Sequence, residues 1–208
     1  MDENQPTLDL NLNLLQRTRE PVIFVIGGPG SGKATQCKQL AEDFDMHHIS
    51  MGQAIRDTFR KGQTDHANRL QEAYDKGGMV PLDEAMYVLK ATMTQRLQQA
   101  SKPFIIHGFP RYLHQAVQYE REIGFPRAVI LLEADDEIMK SRLTDRSKTS
   151  RRPDDVHEAV ENRLTWFHSC VAELAHYYGP HNKLYTVDAN RPVKSIYKDI
   201  SQVVEIWV

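Results

Sequence analysis

The segment Gly27-Gly28-Pro29-Gly30-Ser31-Gly32-Lys33-Ala34-Thr35 has the residue types and spacing to hold an anion. Four glycines and a proline let backbone N–H groups turn inward, and a helix opening near Lys33 points the positive end of its dipole into the same space. Lys33 adds a compact cation on a flexible stem. Directly before the loop, the apolar run Val22-Ile23-Phe24-Val25-Ile26 reads as a buried parallel strand. An ordinary glycine turn is the bland alternative. The strand before and the helix behind weigh for a phosphate cradle.

Transfer of a phosphoryl group needs two phosphates held in line and the transition-state charge neutralised, and arginine forks suit both tasks. Arg56, Arg111, Arg142, Arg146, Arg152 and Arg163 fall near expected loop or helix ends. Taken singly, each reads as a solvated surface arginine, and only a match of the whole set to a known pattern shifts that reading.

These residues need a scaffold. Five apolar runs look like strands, at Val22 to Ile26, His47 to Ser50, Phe104 to Ile106, Ala128 to Leu132 and Leu184 to Val187. Helical patterns alternate with them, which predicts a parallel sheet covered on both faces. Ligands of such sheets sit beyond the carboxyl ends of the strands. Residues 51 to 81 are helical and polar, an insertion long enough for a substrate flap. From Asp155 to Tyr178, apolar residues recur at steps of three and four, with Asp154 and Asp155 suited to cap the start and Gly179-Pro180 to stop it. Trp166 and Trp207 read as core or edge packing. In the first nineteen residues, Leu8, Leu10, Leu12 and Leu14 alternate at a strand period, in either a loose tail or an arm packed on the core or a partner.

Composition excludes several classes. The 208 residues carry 26 basic and 28 acidic side chains, so neither a nucleic-acid nor a membrane partner is expected. Cys37 and Cys170 cannot build a disulfide framework and read as free buried thiols in a reducing cytosol, so a cytoplasmic protein without a secretory signal is expected. No apolar run has the length of a membrane span. None of the histidines shows metal-ligand spacing.

The spelling Gly-Gly-Pro-Gly-Ser-Gly-Lys-x-Thr-Gln-Cys is a P-loop, and it resembles the nucleoside monophosphate kinases of the adenylate kinase type. The likeness runs from Val22 to the C-terminus. It implies an α/β P-loop NTPase fold with a five-stranded parallel sheet, a monophosphate-binding insertion at about 51–81, a short lid at about 147–155 and an extension at 1–20. It implies ATP and AMP as substrates, Mg²⁺ held through ATP and waters with no direct protein ligand, and a monomer. ATP would meet Gly28, Gly30, Ser31, Gly32, Lys33, Ala34 and Thr35. Arg142 would stack on its adenine, Arg146 would bind its phosphates, and the loop near Arg191 would touch its base.

On the AMP side the resemblance implies Met51, Arg56, Gly78, Met79, Val80 and Gly108. Arg111, in Gly108-Phe109-Pro110-Arg111, would be the second clamp on the AMP phosphate. Arg152 and Arg163 would hold the phosphoryl group in transit between the two nucleotides. Lys33, Arg111, Arg146, Arg152 and Arg163 would thus form the catalytic set. Gln115 falls where adenylate kinases read the adenine edge. UMP/CMP kinases generally carry Asn there, so Gln115 favours AMP.

Four residues depart from the family pattern. Ala34 stands where Gly is usual, Met51 where a small or hydroxyl residue touches AMP, and Gln53 where Asp is usual. His107 replaces the Asp of Asp-Gly at the Walker-B position, and imidazole is a poor outer-shell partner for hydrated Mg²⁺. Two readings stay open: a kinase with reduced activity, or a nucleotide-binding regulatory protein with little turnover. A UMP/CMP kinase is the third.

Overall fold

Each of the five apolar runs becomes a strand. The computed structural model describes residues 12–62, 65–148 and 157–208. In it β1 (Val22–Gly27), β2 (His47–Ser50), β3 (Phe104–His107), β4 (Ala128–Glu133) and β5 (Leu184–Asp188) form one parallel sheet in the order β2-β3-β1-β4-β5. The inner strands β1, β3 and β4 are buried almost throughout, as continuous apolar strands covered on both faces must be. Register pairs Val25 with His107 and Gly27 with Leu132, which brings the carboxyl ends of these three strands together. Strand order reverses at β1, so the crevice beyond its end is the expected ligand position.

Among the described residues the helices are α1 (Leu12–Arg17), α2 (Lys33–Asp43), α3 (Met51–Gly62), α4 (Asp65–Asp75), α5 (Leu82–Gln99), α6 (Leu113–Glu122), α7 (Asp136–Ser147), α8 (His157–Tyr178) and α9 (Val193–Trp207). The period of two along the strands sorts the core into two layers. Phe24, Ile106 and Leu131 face Leu89 of α5 and Tyr119 of α6. Ile23, Val25, Ile105 and Ile130 face Cys37 and Leu40 of α2 and Ile200 and Val204 of α9. Phe24 meets the rings of Phe109 and Tyr119 edge-on, with centroids 5.7 and 4.9 Å away.

Three expectations change. Leu12 and Leu14 lie on helix α1 rather than on an extended segment, and Leu15 is buried in the first core layer. Leucine is a strong helix former, so local propensity and the docking of Leu15 outweigh the alternation; Leu8 and Leu10 lie outside the described residues. Trp166 is 48% exposed, against its reading as core or edge, whereas Trp207 does pack at the edge of the second layer. Cys37 is fully buried, but Cys170 is partly exposed. Ser150 to Asp155, including Arg152 and the expected cap residues, lie outside the described residues. No described helix is long and apolar enough to cross a membrane.

Candidate active site

Gly27 ends β1, Lys33 opens α2, and the chain between them turns through positive φ at Gly27, Gly30 and Gly32. Gly30 is constrained twice, because a Cβ there would also overlap the carbonyl oxygen of Met139 on α7. Helix α2 has no side-chain cap and no acidic residue in its first turn, so its dipole end stays open to an anion. The Lys33 ammonium lies inside the loop, donating to the Gly27 carbonyl at 2.8 Å, the Gly28 carbonyl at 2.6 Å and Ser31 Oγ at 3.2 Å. Although the residue as a whole is partly exposed, the ammonium is enclosed. Burial, with Arg163, Arg111 and Arg146 nearby, lowers its pKa to about 7.

The loop forms one wall of a cavity of about 510 Å³, within the range of small-molecule sites. Arg142 and Arg146 enter it from α7, Arg163 from α8, Arg56 from α3, and Arg111 from the turn after β3. Five guanidinium groups and the titratable Lys33 amine thus share one surface, and none of the described lining residues is a carboxylate. Such a surface suits a ligand with several phosphate charges.

On the flap side, Arg56 is 5% exposed and donates from Nη2 to Gln53 Oε1 at 3.2 Å, while Gln53 Nε2 donates to Asp57 at 2.7 Å. The amide at position 53 thus steadies Arg56 without neutralising it. Arg111 donates from Nε to the Gly108 carbonyl at 3.3 Å and from Nη2 to the hydroxyl of Tyr74 at 3.3 Å. Its backbone N–H donates to Gln115 Oε1 at 2.8 Å, which fixes the buried amide beside it. Arg142 donates to the Ala189 and Arg191 carbonyls at 2.8 and 3.4 Å, tying α7 to the loop after β5.

The sites expected from sequence are gathered unevenly. Gly30, Gly32, Lys33, Ala34, Thr35, Met79 and Gly108 line the cavity with the five arginines. Ser31 is fully buried behind the loop, and Gly28 stands against Met139 and Phe167. Met51 and Val80 belong to the first core layer rather than to the lining, and neither Gly78 nor Gln115 lines it. Arg191 does not line the cavity: its guanidinium is turned to Asp199 at 2.5 Å and Asp188 at 3.3 Å, and its carbonyl accepts from Arg142 of the lining. His107 is 7% exposed, lines the cavity and stacks on His48 with ring centroids 5.2 Å apart. Burial first, then Arg96, lowers the His48 pKa.

Sequence reasoning missed Tyr74 and read Trp166 and Cys170 as packing, yet all three line the cavity. Trp166 and Cys170 follow Arg163 by three and seven residues on α8, so the helical period alone could have placed them on the arginine's face. Tyr74 had no such signal.

A phosphate loop at the switch point of a parallel sheet, opposed by a second set of arginines across one cavity, defines a P-loop phosphotransferase. The adenylate kinase family pattern matches residues 25–183, and the chain belongs to that family. It is 33% identical to adenylate kinase isoenzyme 1 of Caenorhabditis elegans over 92% of each chain, and 33% identical to the same isoenzyme of Homo sapiens over 89% of this chain and 94% of that one. It is 31% identical to uridylate kinase of Saccharomyces cerevisiae over 88% of this chain and 90% of the yeast protein.

Proposed function

We propose that this protein transfers the γ-phosphoryl group of ATP, which arrives with Mg²⁺, to AMP and so forms two ADP. The observation that carries this reading is the shared cavity, in which the Gly27–Thr35 loop with Arg142, Arg146 and Arg163 faces Arg56 and Arg111. One set would bind ATP and the other the AMP phosphate. Phosphoryl transfer then needs no covalent help from the chain, only alignment and charge neutralisation. The Gly27–Thr35 amides and Lys33 would hold the donor phosphates, Arg56 and Arg111 the acceptor phosphate, and Arg146, Arg152 and Arg163 the charge in transit. The insertion from Met51 to Pro81 would cover the acceptor and keep water out.

Mg²⁺ prefers oxygen ligands and keeps most of its waters. The described lining offers hydroxyls and carbonyls but no carboxylate, and His107 stands at the strand end where a carboxylate is usual. These residues do not fit a directly bound ion, so the metal would rest on ATP and its own waters.

Gln115 supports AMP over pyrimidine monophosphates. Adenylate kinases read the adenine edge at this position, where UMP/CMP kinases generally carry Asn; here the amide is buried outside the cavity lining, with Oε1 accepting from the Arg111 backbone. The yeast relative's name keeps a pyrimidine acceptor as the alternative. A coupled ADP-production assay with AMP, CMP and UMP decides. AMP should be used at least tenfold better, turnover led by UMP or CMP moves the assignment, and nucleotide binding without turnover supports a regulatory protein. In the same assay His107→Asp should raise the rate at saturating Mg²⁺ by about 10²-fold, the effect of adding one well-placed charge-stabilising group. A variant no faster than the parent would remove the argument from position 107.

A further inference from the structure

Tyr74 stands at the end of α4, is 4% exposed, and lines the cavity between two arginines from different segments. Its ring centroid lies 5.9 Å from Arg56 Cζ and 5.4 Å from Arg111 Cζ, and its hydroxyl accepts from Arg111 Nη2 at 3.3 Å. Two guanidinium groups brought this close to one point repel each other, and an aromatic face within about 6 Å of a cation offsets part of that repulsion. The fit is tight on the opposite side as well. A Cβ on Gly52 would stand 2.5 Å from the tyrosine hydroxyl and 3.6 Å from Arg56 Nη1.

We propose that Tyr74 is a positioning residue that sets the forks of Arg56 and Arg111 to converge on one phosphate-monoester dianion. The inference rests on the reading that these two arginines hold the acceptor phosphate. Tyr74, the Gln53 amide, the Gly108 carbonyl and the Met79 thioether touch the two guanidinium groups as neutral partners, so these contacts restrict the side chains without adding a counter-charge. Ring and hydroxyl have separate tasks: the ring holds both cations together, and the hydroxyl orients Arg111 alone.

The test combines steady-state kinetics with calorimetric binding of AMP and of adenosine. Tyr74→Leu should raise the acceptor KM about tenfold, the scale of a lost desolvated cation–π contact, and leave the ATP KM within about twofold. Its affinity for AMP should fall about tenfold, with adenosine affinity unchanged. Tyr74→Phe keeps the ring and should stay within about threefold of the parent. Gly52→Ala pushes on the hydroxyl and should weaken AMP as Tyr74→Leu does, and Tyr74→Phe added to it should restore binding. Equal losses for AMP and adenosine, or for ATP and acceptor, would show a merely structural tyrosine and overturn the proposal. Should Tyr74→Leu not fold, an AMP affinity unchanged in Gly52→Ala overturns it equally. A parent that binds AMP but transfers nothing defeats the kinase reading alone, and the calorimetry still decides Tyr74.

Discussion

At the scale of single residues, Lys33 is the clearest case of chemistry set by surroundings. Its pKa is about 7 in the folded chain against an ordinary value of 10.5, chiefly through burial and then through the neighbouring arginines. Between those two values the unfolded chain binds more protons than the folded one. The ligand-free fold therefore gains stability as pH rises from about 7 towards 10.5, and carries its full cost below 7. A polyphosphate in the loop reverses the balance, because an anion beside the ammonium favours its charged form. ATP binding at pH 8 should thus take up roughly one proton. Calorimetry in two buffers of different ionisation enthalpy reads this directly. Lys33→Met should abolish the uptake and flatten the rise in stability with pH, and the same buffer-independent heat in parent and variant would show that Lys33 is already charged.

At the scale of elements, the loop works because α7 packs beneath it. Gly30→Ala meets two costs, a positive φ that a side chain resists and an overlap with the Met139 carbonyl. Gly32→Ala meets only the first, since a Cβ there finds nothing within 4 Å. Urea unfolding should show Gly30→Ala less stable than the parent by about 1–3 kcal/mol, with Gly32→Ala clearly milder and the ATP KM raised more by the former. Equal stabilities would mean that α7 yields freely. The same elements show what a sequence can and cannot tell. Strands β1, β3 and β4 were legible because strands buried on both faces must be continuously apolar, and the glycine loop because its anion cradle has few alternative spellings. Helix α1 was not, since alternating leucines are compatible with a strand until Leu15 is seen docked in the core. The arginines of the cavity were foreseen only as an ordered set. Tyr74 escaped because its importance lies in two neighbours, one eighteen residues before it and one thirty-seven after it, that only folding brings together.

At the scale of the whole molecule, a chain of formal net charge −2 concentrates five arginines, with Lys33 beside them, on one concave surface. A cleft lined by one sign of charge focuses its field and raises the encounter rate of an oppositely charged ligand, an effect that salt screens over about 10 Å at 0.1 M. The protein carries its own reporter of that encounter. Trp166 is 48% exposed and lines the cavity, whereas Trp207 lies at the end of α9 against the second core layer, with its ring nitrogen buried. A nucleotide entering the cavity should change the surroundings of the first indole and leave the second alone. Stopped-flow mixing with ATP should therefore give a tryptophan fluorescence change that Trp207→Phe preserves and Trp166→Phe removes. The association rate read from it should fall at least tenfold between about 0.02 and 0.5 M salt, while dissociation changes much less. A signal that survives in Trp166→Phe would place the reporting event away from the cavity mouth. An association rate indifferent to salt would mean that the arginines act only after the nucleotide has arrived, as contacts rather than as a guiding field.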